Sequence, residues 1–118
     1  MVGTLLVGLV ALEHLYILVL EMFLWTTPRA MKSFGMTKEE AVATKTLAAN
    51  QGLYNGFLAA GLVWGMVHPN DQTGESIEIF FLICILVAAL YGGATAKRSI
   101  WFVQGMPALI ALVIVLAL

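Results

Sequence analysis

Four stretches of this 118-residue chain are long and apolar enough to cross a bilayer, at about 4–25, 46–67, 76–96 and 100–118. A spanning helix needs about 20 mostly apolar residues, each advancing the chain by about 1.5 Å. Only helices and closed barrels satisfy their own backbone in hydrocarbon, and continuous runs of this length predict helices. The expected architecture is therefore all-α, a four-helix transmembrane bundle in a single membrane domain over 1–118. Composition agrees, because 61% of the residues are hydrophobic and 11% charged, too little charge to clothe a water-soluble domain. The net charge of -1 argues against nucleic acid as a partner and leaves the lipid bilayer as the expected one.

The first stretch reads as a permanent helix rather than a leader. It has no basic segment ahead of it, exceeds a leader's apolar core in length, and carries Glu13, His14 and Glu21. Orientation follows from the six basic residues. Arg29, Lys32, Lys38 and Lys45 lie between the first and second spans, and Lys97 and Arg98 between the third and fourth. The connection from His68 to Glu75 has none. Basic loops stay in the cytoplasm, so both termini are expected on the non-cytoplasmic side.

Local signals place the helix ends. Thr37 followed by Glu40 is a capping box, which starts the second helix near Lys38, and Pro28 and Gly35 break the chain before it. The run His68-Pro69-Asn70-Asp71 predicts a short turn, with Glu75 and Glu78 in the first turn of the third helix. Pro107 predicts a kink in the fourth, where it crowds the Val103 carbonyl. Trp25, Trp64 and Trp101 fall near span ends, where indoles anchor at the membrane interface. Cys84 has no partner cysteine and reads as a buried apolar residue.

The polar residues inside the spans carry the functional reading. At about 100° per residue, His14 and Glu21 fall within about 20° of each other, with Glu13 about 80–100° away. Glu13 and His14 are near mid-span, and Glu21 lies about 11–12 Å nearer the cytoplasm. A charge at mid-bilayer costs at least about 2.5 kcal/mol, so these groups must turn inward, lose charge or find partners. In the second helix Asn50, Gln51, Tyr54 and Asn55 span an arc of about 140°. Gln104 and Tyr91 are further donors. The simplest arrangement sets the first two helices side by side with polar faces inward.

A second face of the same helix is small, with Ala48, Gly52, Gly56 and Ala60 four apart. That spacing lets helices approach closely, within one chain or across a homodimer, and Gly92-Gly93 is a candidate receiving surface.

Three readings of the cluster stand together. In the first, Glu13, His14 and Glu21 bind a cation or couple protons to a small solute, oriented by Asn50, Gln51, Tyr54, Asn55 and Gln104, since a carboxylate in a low-dielectric site exchanges protons near neutral pH. In the second, Glu13 and His14 act as acid and base on a lipid-like substrate. In the third, the network only fixes helix register. No phosphate loop, zinc spacing or nucleophile elbow occurs, so no cofactor is expected.

Three segments together resemble a known family. They are Val7-Gly8-Leu9-Val10-Ala11-Leu12-Glu13-His14 running on to Glu21-Met22-Phe23-Leu24-Trp25, then 48–56 (Ala-Ala-Asn-Gln-Gly-Leu-Tyr-Asn-Gly), then Lys97-Arg98-Ser99 leading to Gln104-Gly105. They are similar to small bacterial four-helix membrane proteins grouped as the domain-of-unknown-function 1304 family. The resemblance covers essentially the whole chain. It implies four spans and the bacterial cytoplasmic membrane, and brings no activity.

Overall fold

A computed structural model describes residues 2–117. Met1 and Leu118, the ends of the expected domain, lie outside the described residues. Among those described, the regular structure is entirely helical. The elements are α1 (Val2–Met22), α2 (Pro28–Phe34), α3 (Lys38–Ala43), α4 (Lys45–Val67), α5 (Asp71–Thr95), a π-helical turn (Trp101–Gly105) and α6 (Met106–Ala117). Two of them, α1 and α5, are long and apolar enough to cross a membrane, and Trp101–Ala117 forms a shorter apolar helix. Asn50, Gln51 and Asn55 interrupt the apolar character of α4.

The first connection is more ordered than a loop. Thr27 caps α2 by accepting the Ala30 N–H, Pro28 fills the first turn, and Gly35 closes the helix in the left-handed region at φ 62°. Proline at the start suits a helix because its missing N–H would lack a partner there, and glycine at the end adopts the left-handed cap without a β-carbon clash. The expected box starts α3, with the Thr37 N–H donating to Glu40 Oε1 at 2.8 Å and the Glu40 N–H donating to Thr37 Oγ1 at 3.2 Å. Thr44, at φ -105° and ψ 9°, then separates α3 from α4.

The other boundaries differ from the hydropathy pattern for local reasons. The Asn70 side chain accepts the Thr73 N–H at 2.9 Å and so starts α5 at Asp71. Asp71 occupies the first turn, and Glu75 and Glu78 fall further along. Before Pro107 the chain widens into the π-helical turn, whose end is marked by the Met106 N–H donating to the Trp101 carbonyl. A π-bulge is one of the recognised ways a helix accommodates an interrupted hydrogen-bond ladder.

The chain divides into two compact units, one joining Met1–Leu12 to Leu58–Leu118 and the other Glu13–Phe57. The first has a core of Val7, Val10, Ala59, Leu62, Leu82, Ile85, Ala108 and Ala111. Close backbone approach shapes it. A β-carbon at Gly74 would meet the Gly65 carbonyl oxygen, and one at Gly93 would overlap the Trp101 indole. Gly93 therefore receives Trp101, whose Nε1–H donates to the Leu90 carbonyl at 3.1 Å, rather than the small face of α4.

The second unit is built where α1 and α4 come together. A β-carbon at Gly52 would lie 2.6 Å from Met22 Cγ and 3.2 Å from the Leu18 carbonyl oxygen, and one at Gly56 would lie 2.6 Å from Leu18 Cδ1. At Gly52 and Gly56 the small-residue face of α4 is thus filled within the chain, while Ala60 at its end stays exposed. Trp25 ties the connection down, donating from Nε1 to Thr44 Oγ1 at 3.0 Å with its ring 4.8 Å from that of Phe34. Ala30 and Ala41 are fully buried.

Candidate functional site

The polar residues expected to act together divide into three groups. Glu21 on α1 and Asn55 on α4 meet directly, the Asn55 Nδ2–H donating to Glu21 Oε1 at 2.6 Å. The contact depends on Gly52, because the absence of a side chain there lets α4 lie against Leu18, Glu21 and Met22. The bond is short for an N–H···O contact.

Glu13 and His14 form the second group. His14 is fully buried, at 1% exposure, and its Nδ1 lies 3.9 Å from Glu13 Oε1. That separation exceeds hydrogen-bond range, so the contact is electrostatic and attractive when the imidazole is protonated. Glu13 Oε1 is itself buried and has no hydrogen-bond partner. Glu13 and Glu21 are eight residues apart on one helix, or about 12 Å along the axis. They therefore form two positions rather than one chelating pair. Among the described residues, no three His, Cys, Asp or Glu side chains are placed to share a metal ion.

In the third group, Asn50, Gln51 and Tyr54 hydrogen-bond to neither carboxylate. Asn50, Gln51 and Tyr54 are exposed, Asn50 Nδ2 donating to the Thr46 carbonyl at 2.9 Å and the Tyr54 ring lying 6.2 Å from that of Phe57. Gln104 is half-buried in the π-helical turn of the other unit, and Tyr91 is 72% exposed. Of the polar arc on α4, only Asn55 is turned onto a carboxylate of α1.

Two features escaped the sequence reading. Arg29 Nη1 donates to Tyr16 Oη at 3.3 Å, tying the start of α2 back to α1. In the first unit a cleft of about 270 Å³ is lined by Thr4, Gly65, His68, Asp71, Glu75 and Glu78. Its signal was present in the spacing, since acids at i, i+4 and i+7 from Asp71 share one helix face. The turn that precedes them is closed by the Asn70 N–H donating to His68 Nδ1 at 3.0 Å.

Comparison with known proteins adds family and no chemistry. Residues 8–116 match the family described as "Protein of unknown function (DUF1304)". A relative from Lactococcus lactis subsp. lactis (strain IL1403), described as "Uncharacterized protein YpaA", is 38% identical over 107 residues, covering 89% of this chain and 88% of the relative. No solved structure matches the chain.

Proposed function

Given that the chain belongs to the DUF1304 family of proteins of unknown function, a membership that carries no activity with it, we propose that it is an integral membrane protein whose Glu13 carboxylate holds a proton or a small cation within the bilayer. On this reading α1, α4, α5 and the segment Trp101–Ala117 all cross the membrane, as a four-helix bundle in a bacterial cytoplasmic membrane. The connections bearing the six basic residues face the cytoplasm, and the His68 turn faces the other side. The surface supports this. Leu5, Leu12, Phe80, Val87 and Leu90 are each at least 60% exposed, and only 22% of the apolar window of α1 or of α5 is buried. The core helices of a water-soluble fold would bury most of that surface.

The observation that carries the site is the orphaned oxygen of Glu13. A carboxylate oxygen removed from water and from every donor is costly to keep, and the cost falls when a proton or a cation arrives. The buried His14 imidazole lies beside it, its Nδ1 3.9 Å from that oxygen. Glu21 has a different part. Its 2.6 Å bond from Asn55 favours a structural role, holding α1 and α4 in register beneath the site.

The test is proton movement in sealed liposomes carrying a trapped pH dye. An imposed gradient of a monovalent cation or of an organic ammonium ion moves protons through the wild type. Glu13→Gln keeps the shape, removes the exchangeable charge and abolishes that movement, whereas Glu75→Gln leaves it intact. Equal signals from wild type and Glu13→Gln would end the proposal.

A further inference from the structure

One face of α4 suits neither lipid nor water. Leu47, Tyr54 and Phe57 stand 64%, 57% and 57% exposed, and the exposed carboxamides of Asn50 and Gln51 lie among them. Asn50 spends one N–H on the Thr46 carbonyl, but a carboxamide has two donor hydrogens and an acceptor oxygen. Against acyl chains these groups would find no partners. Against water, Leu47 and Phe57 would lie bare.

We infer that this face, from Leu47 to Phe57, seats a second copy of the same chain. A carboxamide is at once donor and acceptor, so it complements itself, which is what a two-fold interface demands of any residue near its axis. The apolar side chains around the amides then meet their own counterparts and exclude lipid from the hydrogen bonds. The small-residue face of α4 cannot serve in its place. Gly52 and Gly56 are already packed against Leu18, Glu21 and Met22 of the same chain. The inference rests on the transmembrane orientation proposed above and is independent of what Glu13 holds. Copies inserted in one orientation are related by an axis along the membrane normal. Residues at equal depth then face each other, Asn50 toward Asn50 and Phe57 toward Phe57 across the axis.

Cross-linking in native membranes tests this. In a Cys84→Ser background, Tyr54→Cys and Phe57→Cys report the proposed face, and Val113→Cys, 54% exposed on α6, reports random collision. Treatment with copper phenanthroline is expected to give a disulfide-linked homodimer from position 54 or 57 in at least roughly tenfold greater yield than from 113, because a shared interface raises the effective thiol concentration. Adding Asn50→Leu and Gln51→Leu to the Phe57→Cys chain is expected to lower that yield by about tenfold. If this double variant fails to fold, the comparison among single cysteines decides alone. Equal yields at 57 and 113, no link at 54 or 57, or a linked band at the mass of a different protein would each overturn the inference. The liposome assay on Glu13→Gln is unaffected by any of these results, so the two proposals fail separately.

Discussion

Asn55 and Glu21, 34 residues apart in sequence, are joined by a 2.6 Å hydrogen bond that runs from α4 to α1. It is the one point at which the polar arc of α4 meets an acid of α1, and Gly52 makes the approach close enough for it. A bond between two helices fixes their rotation as well as their distance. A slip of one residue on α4 would turn Asn55 away by about 100°.

This pair should be energetically coupled. Interhelical hydrogen bonds in membranes contribute about 0.6–1.7 kcal/mol. A double-mutant cycle of Glu21→Ala and Asn55→Ala, read by reversible unfolding in mixed micelles, is expected to show coupling of about 0.6–1.7 kcal/mol. Glu21→Gln retains an acceptor oxygen and should lose less than Glu21→Ala. A coupling near zero would mean that packing around Gly52, and not the bond, sets the register.

Glycines in the first unit divide by what lies above them. At Gly74 a β-carbon would meet the Gly65 carbonyl oxygen, which is backbone and cannot rotate aside. At Gly92 the nearest atom is Ile100 Cγ2 at 3.4 Å, an ordinary contact. Gly74→Ala is expected to cost about 1–3 kcal/mol despite the gain in helix propensity. Gly92→Ala should be neutral or stabilising by up to about 1 kcal/mol. Thermal unfolding of the two variants beside wild type checks both, and equal melting temperatures would contradict the close α4–α5 approach.

The capping box of α3 gives a pH dependence of its own. The backbone N–H and then the side chain of Thr37 hold the Glu40 carboxyl below its ordinary range. A carboxyl with a depressed folded-state pKa stabilises the fold above its unfolded value, and that stabilisation is lost as pH falls through the folded value. The start of α3 should therefore be intact at neutral pH and loosen only in acid. The Thr37 amide resonance is expected to titrate below the usual carboxylate range in wild type and to show no such step in Glu40→Gln. Titration at or above the usual range would contradict the bond to Oε1.

What was legible in the sequence was local or periodic. Thr37 and Glu40 are three residues apart and need nothing else to recognise each other, and the box is present as expected. The start of α5 was equally local, yet following hydropathy placed it at 76, because Asp71 to Glu75 are polar and only the Asn70 cap reveals that they are helical. Helix rotation was the information missing from the site. Periodicity put Asn50, Gln51, Tyr54 and Asn55 on one arc, but which edge meets Glu21 depends on how α1 fills the groove at Gly52. Trp25 shows the same limit, since an indole near a span end has the same sequence context whether it lies among headgroups or, as here, donates to Thr44 across the α2–α3 connection.

The proposed orientation can be tested without reference to any ligand. Lysine and arginine are retained on the cytoplasmic side during insertion, and here all six stand in two connections, from Arg29 to Lys45 and at Lys97-Arg98. Gln72, at the start of α5, and Ser99, before the π-helical turn, are both exposed and separated by the full length of α5. A 25-residue helix is about 37 Å long, which is enough to cross the hydrocarbon core. In a Cys84→Ser background, Gln72→Cys is expected to react with a membrane-impermeant maleimide in intact cells, and Ser99→Cys only after permeabilisation. The opposite pattern would invert the topology and place the basic connections outside. Labelling of both positions in intact cells would mean that α5 does not span, and with it the four-span arrangement around Glu13 would fall.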